Sequence, residues 1–304
     1  MSNPLLTLAA SVARALPAPA RRGLYRLGPF TRLLRGLLNR SAPTGPTEVT
    51  ITAGALQGAR MLLDLQTEKA YWLGTYETDL QTAIQDWVTP GMTAYDVGAN
   101  IGYLSLMLAR AVGKTGQVFA FEALPANFER LQKNLALQYP VSSIQYSVFS
   151  NQYPVTSNQH PTPICAIHAA VVDAAGQVRF HLHRSTGMGK AAGSAGRKEE
   201  YTGHITVPGI SLDHFVFELG NPAPDVVKMD IEGGEVLALP GMRRVLAEAR
   251  PLLFLELHGQ QAAATAWQLL TGSGYHLHHL KSGYPPIRDL ENLGWKAYLL
   301  AKPA

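Results

Sequence analysis

The stretch DVGANIG at residues 96–102 decides the fold, because it joins two apolar segments through a glycine turn. Residues 93–97 predict a short buried strand, and residues 102–112 predict an apolar helix. Gly98 and Gly102 let the backbone pass close to a ligand, and the first turn of the helix presents free amides. The turn lacks the Gly-x-Gly-x-x-Gly spacing and a following Gly-Lys-Ser/Thr, so a dinucleotide or a triphosphate fits poorly. The stretch therefore predicts a turn that binds a nucleoside-type ligand.

Strand and helix patterns alternate after this turn, which predicts right-handed crossovers and a parallel sheet. Helices are expected at residues 102–112 and 125–138. Strands are expected, beyond the one at residues 93–97, at these segments: 117–121, 165–172, 225–230, 251–257, 275–280 and 295–301. Residues 139–164 and 184–200, rich in small and polar residues, are expected to be loops. The fold class is therefore α/β, with a mostly parallel sheet and helices on both faces.

The N-terminal segment is basic and rich in leucine. Residues 4–40 hold leucines at near-helical spacing, and seven arginines fall within the first forty residues. Pro17 and Pro19 divide this pattern into two helices. The helices form either a basic surface for a membrane or partner protein or a pair that packs on the following domain, and the leucine spacing favours the packed pair. Because residues 41–47 are typical of a linker, we expect a helical extension and linker at residues 1–47.

The rest of the chain, residues 48–304, is expected to form one domain. Residues 48–66 alternate apolar and polar positions, as a hairpin does, and a helix that opens at Asp79 ends at Pro90. Residues 48–90 are therefore expected to form a hairpin and a helix that cover the site.

The composition restricts the partners and the compartment. The net charge of +4 arises largely from the arginines of the extension, so no nucleic-acid groove is expected in the nearly neutral remainder. The single cysteine, Cys165, excludes an intrachain disulfide and fits a reducing compartment. No run approaches the roughly 18 consecutive apolar residues of a membrane-spanning helix. We therefore expect a cytoplasmic protein.

Two acids follow the strands nearest to the glycine turn. Asp96 lies at the tip of the first strand and suits a ligand that carries a positive charge. Glu122 ends the second strand about twenty residues later, where a carboxylate can accept hydrogen bonds from both hydroxyls of a ribose. Together with the turn itself, these acids predict a site for a nucleoside.

Four further polar residues follow two later strands. The segment KMDIEGGE delivers Asp230 and Glu232 to the carboxyl edge of the sheet, and alternation places Glu256 and His258 on one face of the next strand. These four residues are candidate catalytic groups, because His258 has the intrinsic pKa to accept a hydroxyl proton near neutrality. The acids leave open a divalent metal such as Mg²⁺, but no ligand spacing is diagnostic and the metal-free route is favoured. Lys228 shares the strand face of Asp230 and is a candidate interior partner of Glu256.

The sequence resembles the FkbM-type S-adenosylmethionine (SAM)-dependent methyltransferases. The resemblance rests on these segments, in this order: WLGTYE (72–77), DVGANIG (96–102), FE (121–122), LD (212–213), KMDIEGGE (228–235) and PLLFLE (251–256). It implies a Rossmann-like class I methyltransferase fold with a mostly parallel seven-stranded sheet, SAM as the cofactor, and O-methylation of a hydroxyl on a sugar or natural-product small molecule. The cofactor-binding residues that it implies are Tyr76, Glu77, Asp96, Gly98, Asn100, Gly102, Glu122 and Asp230.

The chain departs from the family pattern at three places. Ala123 stands where the family commonly has a proline, and Gly234 stands where it commonly has an alanine. Residues 139–164 resemble an insertion, so no substrate or adenine contact is carried over from that region.

Two other functions stay open at the level of the sequence. One is an NAD-dependent oxidoreductase, which the missing third glycine disfavours. The other is a non-catalytic scaffold that binds SAM, which the polar groups at four strand ends disfavour.

Overall fold

The computed structural model describes Ser11 and residues 42–139, 145–148, 164–196 and 200–304. The helices expected at residues 4–40 lie outside this part of the chain, as does most of the polar segment 139–164.

Strands and helices alternate through the described chain much as the sequence predicts. In chain order they are β1 (Pro46–Thr50), β2 (Arg60–Asp64), α1 (Lys69–Trp72), α2 (Thr78–Trp87), β3 (Thr93–Val97), α3 (Tyr103–Val112), β4 (Gln117–Glu122), α4 (Pro125–Ala136), β5 (Gln145–Val148), β6 (Ile164–His168), β7 (Ala170–Val171), β8 (Gly176–Leu182), β9 (Lys190–Ala191), β10 (Gly203–Ile210), β11 (Val226–Met229), α5 (Glu235–Ala238), β12 (Leu252–His258), α6 (Gln260–Gly272), β13 (Tyr275–His279) and β14 (Lys296–Pro303).

The central sheet confirms the Rossmann-like α/β fold. Its strand order is β13-β14-β12-β11-β3-β4-β6-β5, and β14 runs antiparallel to both of its neighbours while the other pairs are parallel. The order reverses between β3 and β11, and such a switch point opens a crevice at the carboxyl ends of the strands. The sheet holds eight strands where the sequence predicts seven, because the four-residue β5 alternates apolar and polar residues only briefly within a long segment rich in Ser, Asn, Gln and Pro.

Alternating side chains of the strands fill two apolar cores on opposite faces of this sheet. On β3, Ala94 belongs to one core, while Tyr95 and Val97 belong to the other. In the second core the Tyr95 ring lies 5.3 Å from Phe119 and 5.6 Å from Phe215, between ring centroids. Because both faces of the sheet are covered by an apolar core, the sequences of these strands are nearly continuous apolar runs.

The prediction of a single strand at residues 165–172 is wrong, because the chain passes from one sheet to another at Ala169. β6 ends in the central sheet, and β7 pairs instead with β10 in a four-stranded sheet of order β7-β10-β8-β9. The sequence analysis missed this second sheet, since β7 and β9 are only two residues long and β9 lies in a glycine- and alanine-rich segment with little strand propensity.

The hairpin of β1 and β2 is fastened to the core by buried polar contacts. The side-chain oxygen of Asn134 accepts a hydrogen bond from the Leu62 amide at 2.6 Å, and its nitrogen donates to the Ile101 carbonyl at 2.8 Å. Arg130 pairs with Glu68 through two hydrogen bonds of 2.9 and 2.7 Å. The hairpin is thereby tied to the glycine turn.

No helix within the described ranges is both long enough and apolar enough to cross a membrane.

Replacing Asn134 by alanine is expected to lower the free energy of unfolding by about 1–3 kcal/mol, because two buried backbone groups lose their partner. Urea denaturation followed by circular dichroism measures the change. The control is Lys133→Ala on the exposed face of the same helix, where we expect a change within about 0.5 kcal/mol. Equal losses in both variants would show that Asn134 does not fasten the hairpin.

Candidate active site

A cleft of about 880 Å³, counting the part open to solvent, lies at the carboxyl ends of β3, β4 and β11. Of the site residues predicted from the sequence, these line it: Tyr76, Gly98, Asn100, Glu122, Asp230 and Glu232. The switch point of the sheet therefore brings most of the predicted residues together.

The glycine turn is shaped by its contact with the neighbouring strand. Gly98 has a φ of +81°, and a Cβ at this position would lie 2.0 Å from the backbone oxygen of Asp230. Gly102, with a φ of +89°, precedes α3 and packs closely against Leu131. A side chain at Gly98 is thus excluded both by the backbone conformation and by the lack of space. Gly102 allows the close packing of the turn against α4 and does not line the cleft.

Glu122 holds two loops at the rim of the cleft. One carboxylate oxygen accepts a hydrogen bond from the Asn100 amide at 2.8 Å, and the other accepts one from the Leu124 amide at 2.8 Å. Burial raises the pKa of Glu122 to about 7, although both hydrogen bonds oppose the rise. Each carboxylate oxygen keeps a second acceptor site, so the group can still receive hydroxyl donors of a ligand.

Lys228 pairs with Asp96, and the pairing with Glu256 considered from the sequence is wrong. Its ammonium lies 3.1 Å from the Asp96 carboxylate and donates to the Gly98 carbonyl at 2.9 Å. Lys228 and Asp96 are register partners in β11 and β3, whereas Glu256 lies two residues beyond the partner of Lys228 in β12. Asp96 also accepts a hydrogen bond from Ser105 at 2.6 Å. Its carboxylate is fully buried and does not line the cleft.

His258 is surrounded by the other three candidate catalytic residues. Its Nε2 lies 3.0 Å from Glu256 and 3.7 Å from Glu232, and its Nδ1 lies 3.8 Å from Asp230. Lys296, the register partner of His258 on β14, forms an ion pair with Glu256. The imidazole itself is buried, so Asp230 and Glu232 stand between it and the cleft.

The charged groups around His258 shift one another's pKa values. Burial lowers the pKa of His258, but the hydrogen bond with Glu256 and the charges of Asp230 and Glu232 outweigh it, so the pKa is raised overall. Burial and then the charge of Glu256 raise the pKa of Asp230 to about 6. Burial also acts to raise the pKa of Glu256, but hydrogen bonds from His258 and Lys296 bring it below its usual value.

Asp230, Glu256 and His258 form a group that could hold a metal, since one ligand atom from each lies within 4.8 Å of the others. However, the ammonium of Lys296 contacts the same Glu256 carboxylate. A fixed positive charge beside the site opposes the binding of a divalent cation. The cluster therefore suits proton exchange better than metal binding.

The segment before α2 contributes one residue to the cleft and the next to a smaller pocket beside it. Tyr76 lines the cleft, and its ring lies 4.3 Å from that of Tyr71, which packs on Tyr103 at 4.8 Å. Glu77 instead faces a smaller pocket beside the cleft. Burial, followed by the charges of Glu256 and Asp230, raises the pKa of Glu77 to about 7.

Sequence reasoning missed the part of the site that the second sheet supplies. Phe180 of β8 and Ala191 of β9 line the cleft opposite the glycine turn. After β9, the Ala195 amide donates to the Gly233 carbonyl at 2.9 Å, which places this segment over the catalytic cluster. The alternation of polar and apolar residues at 176–182 was the sequence signal from which a strand of this sheet could have been predicted.

Replacing Lys228 by methionine is expected to lower the free energy of unfolding by about 3–5 kcal/mol, because the buried Asp96 carboxylate loses its counter-charge. The double variant Lys228→Met/Asp96→Asn is the control and should recover much of the loss. Urea denaturation measures both. A single variant as stable as the wild type would show that this pair does not hold β3 to β11.

Comparison with known proteins identifies a family for this chain. The family model described as the methyltransferase FkbM domain matches residues 96–277. The hexuronic acid methyltransferase AglP of Haloferax volcanii is 26% identical over 172 residues, which are 54% of this chain and 55% of that protein. The chain thus spans about half the length of this relative.

Two methyltransferases are among the solved structures that match this chain. The FkbM methyltransferase of Methylobacillus flagellatus is 16% identical, with a TM-score of 0.40 over 78% of this chain and 54% of its own. The SAM-dependent O-methyltransferase of Thermotoga maritima is 13% identical, with a TM-score of 0.38 over 89% of this chain and 82% of its own. Because the family model covers more than half of the sequence, from the glycine turn through the catalytic cluster, this chain belongs to the FkbM methyltransferase family.

Proposed function

We propose that the chain transfers the methyl group of SAM to a hydroxyl of a sugar or of a natural-product small molecule. The observation that carries the proposal is the position of Asp230, which lines the nucleoside-type cleft and also lies beside His258. The relative named for hexuronic acid methylation supports a sugar acceptor. Membership of a methyltransferase family argues against the NAD-dependent oxidoreductase considered from the sequence.

The residues of the cleft fit SAM. Glu122 offers a carboxylate for the hydroxyls of the ribose, and Phe121 and Leu124 flank it with apolar surface for the adenine. The turn at Gly98 and Asn100 suits the methionine part, because its backbone reaches the cleft without a bulky side chain. Asp96 would act on the cofactor through this turn, since its own carboxylate is buried behind it.

When bound, SAM would supply a methyl group attached to a positively charged sulfur, a good leaving group for attack by an acceptor oxygen. Asp230 faces the acceptor and orients its hydroxyl by accepting a hydrogen bond. The proton that the hydroxyl releases would pass through the Asp230 carboxylate to His258 behind it, and Glu256 and Glu232 would stabilise the imidazolium that forms. Catalysis in this chain is therefore mainly a matter of positioning and proton acceptance.

Replacing Glu122 by alanine is expected to weaken SAM binding by about 1–3 kcal/mol, because charge-assisted hydrogen bonds to the ribose are lost. Isothermal titration calorimetry measures the affinity. The matched control is Glu129→Ala, which removes an exposed glutamate from the nearby α4 and should leave the affinity unchanged. Unchanged affinity in Glu122→Ala would remove Glu122 from the cofactor site.

Activity is expected to rise with pH through an apparent pKa above 6.5, because the raised pKa of His258 keeps the imidazole protonated and unable to accept a proton at lower pH. His258→Ala should lower the rate by a factor of about 10²–10⁴ while SAM affinity stays near normal. Transfer of labelled methyl from SAM into an extract of the source organism, with mass spectrometry of the product, measures the rate.

The same assay tests the metal-free route. Activity should survive exhaustive treatment with EDTA. Complete loss that Mg²⁺ restores would assign Asp230 and Glu256 to a metal and leave His258 with a structural role.

A further inference from the structure

Glu235 is a buried carboxylic acid that the proposed mechanism does not use. It opens α5, directly after the turn that follows Asp230, and its side chain is 0% exposed. One carboxyl oxygen accepts a hydrogen bond from the Ile231 amide at 3.1 Å, and within the described residues no donor reaches the other oxygen. The hydrogen bond with the turn is therefore the contact through which Glu235 can act on the site.

The burial of this carboxyl group is a cost to the fold. The two lysines of the site are engaged with other acids. Burial raises the pKa of Glu235 to about 7, although the hydrogen bond from Ile231 and the charge of His258 oppose the rise. A buried carboxyl group with one unpaired oxygen lowers stability, so its presence points to a use in the turn that it binds.

The peptide group between Asp230 and Ile231 is held at both of its ends. Its carbonyl oxygen, which belongs to Asp230, lies against the glycine turn, where a Cβ on Gly98 would be only 2.0 Å away. Its N–H group, which belongs to Ile231, donates to Glu235. Because a peptide group is planar, the two contacts together fix how the chain leaves β11. They also fix the point from which the Asp230 side chain extends towards the cleft.

The residues after this peptide group form a tight turn. Glu232 has a φ of +54°, a left-handed conformation that is uncommon for a residue with a side chain. The Gly234 amide donates to the Ile231 carbonyl at 3.0 Å and closes the turn. Asp230 and Glu232 both line the cleft from this turn. A costly backbone conformation persists only where the surrounding contacts determine it, and the hydrogen bond to Glu235 is one of those contacts.

We propose that Glu235 is a positioning residue, which holds the peptide group after Asp230 and so directs the carboxylates of the turn towards the cleft and the imidazole. The inference rests on the proposed function and deepens it by adding a residue that does not itself line the cleft. The role needs a hydrogen-bond acceptor and not a negative charge. A glutamine at this position therefore keeps the function, whereas a leucine of similar size removes it.

Hydrogen exchange of the Ile231 amide, resolved by NMR in the full chain without ligand, measures the hydrogen bond directly. The amide is expected to be protected in the wild type and in Glu235→Gln. In Glu235→Leu it should exchange at least about tenfold faster, because it has lost its acceptor. Equal exchange in all three proteins would overturn the assignment.

Transfer of labelled methyl from SAM into an extract of the source organism measures the consequence for the reaction. Glu235→Leu is expected to lower the rate at saturating SAM by about 10–100-fold, because the catalytic acids are misplaced. Glu235→Gln should stay close to the wild-type rate. Calorimetry should show S-adenosylhomocysteine affinity near normal in both, since Lys228 still holds the glycine turn. Urea denaturation should show Glu235→Leu to be as stable as the wild type, because an unpaired buried carboxyl group is removed.

The matched control is Asp225→Leu. Asp225 also offers a carboxylate oxygen to a backbone amide, that of Thr93 at 2.7 Å, but at the amino ends of β11 and β3, opposite the cleft. Its loss should lower the urea midpoint and leave the transfer rate unchanged. This is the reverse of the result expected for Glu235→Leu.

A Glu235→Leu variant that transfers methyl groups as fast as the wild type would overturn the positioning role. A Glu235→Gln variant as slow as Glu235→Leu would also overturn it, because the charge would then be needed. In both cases the wild type is active and the proposed function stands. Absence of transfer by the wild type itself would instead overturn the proposed function and the inference with it.

Discussion

The buried contact of Lys228 with Asp96 and the Gly98 carbonyl is the constraint on which the rest of the site depends. A charge removed from water must be paired and hydrogen-bonded, so the ammonium on β11 fixes both the carboxylate at the end of β3 and the turn that follows it. The missing Cβ of Gly98 completes the contact, because the Asp230 carbonyl occupies that space. The glycine turn and the end of β11 are consequently held together.

This pairing also sets the electrostatics of the neighbouring cluster. Since Lys228 is committed to Asp96, the remaining acids share the positive charge of His258 and Lys296. Against the opposing effect of burial, the acids around His258 raise its pKa, whereas burial, followed by the charge of Glu256, raises the pKa of Asp230 to about 6.

The four-stranded sheet that follows β6 in the chain also lines the site. Its inward side chains Phe180 and Ala191 face the cleft, and the chain after β9 packs on Gly233. The central sheet supplies the glycine turn and the acids, whereas this second sheet and the segment before α2 complete the lining of the cleft. Loops and small elements around a fixed core are a general route by which one fold accepts different substrates.

The sequence by itself determined the α/β fold, the glycine turn and the convergence of Glu122, Asp230 and His258, because strand periodicity and the carboxyl-edge rule are local or topological properties. Only the tertiary structure decided which partner each charge has. Lys228 meets Asp96 instead of Glu256 because strand register, set by pairing between distant segments, brings those two side chains together. The structure likewise decided that β7 leaves the central sheet and that Glu77 faces a separate pocket, since these placements depend on packing between segments far apart in the chain.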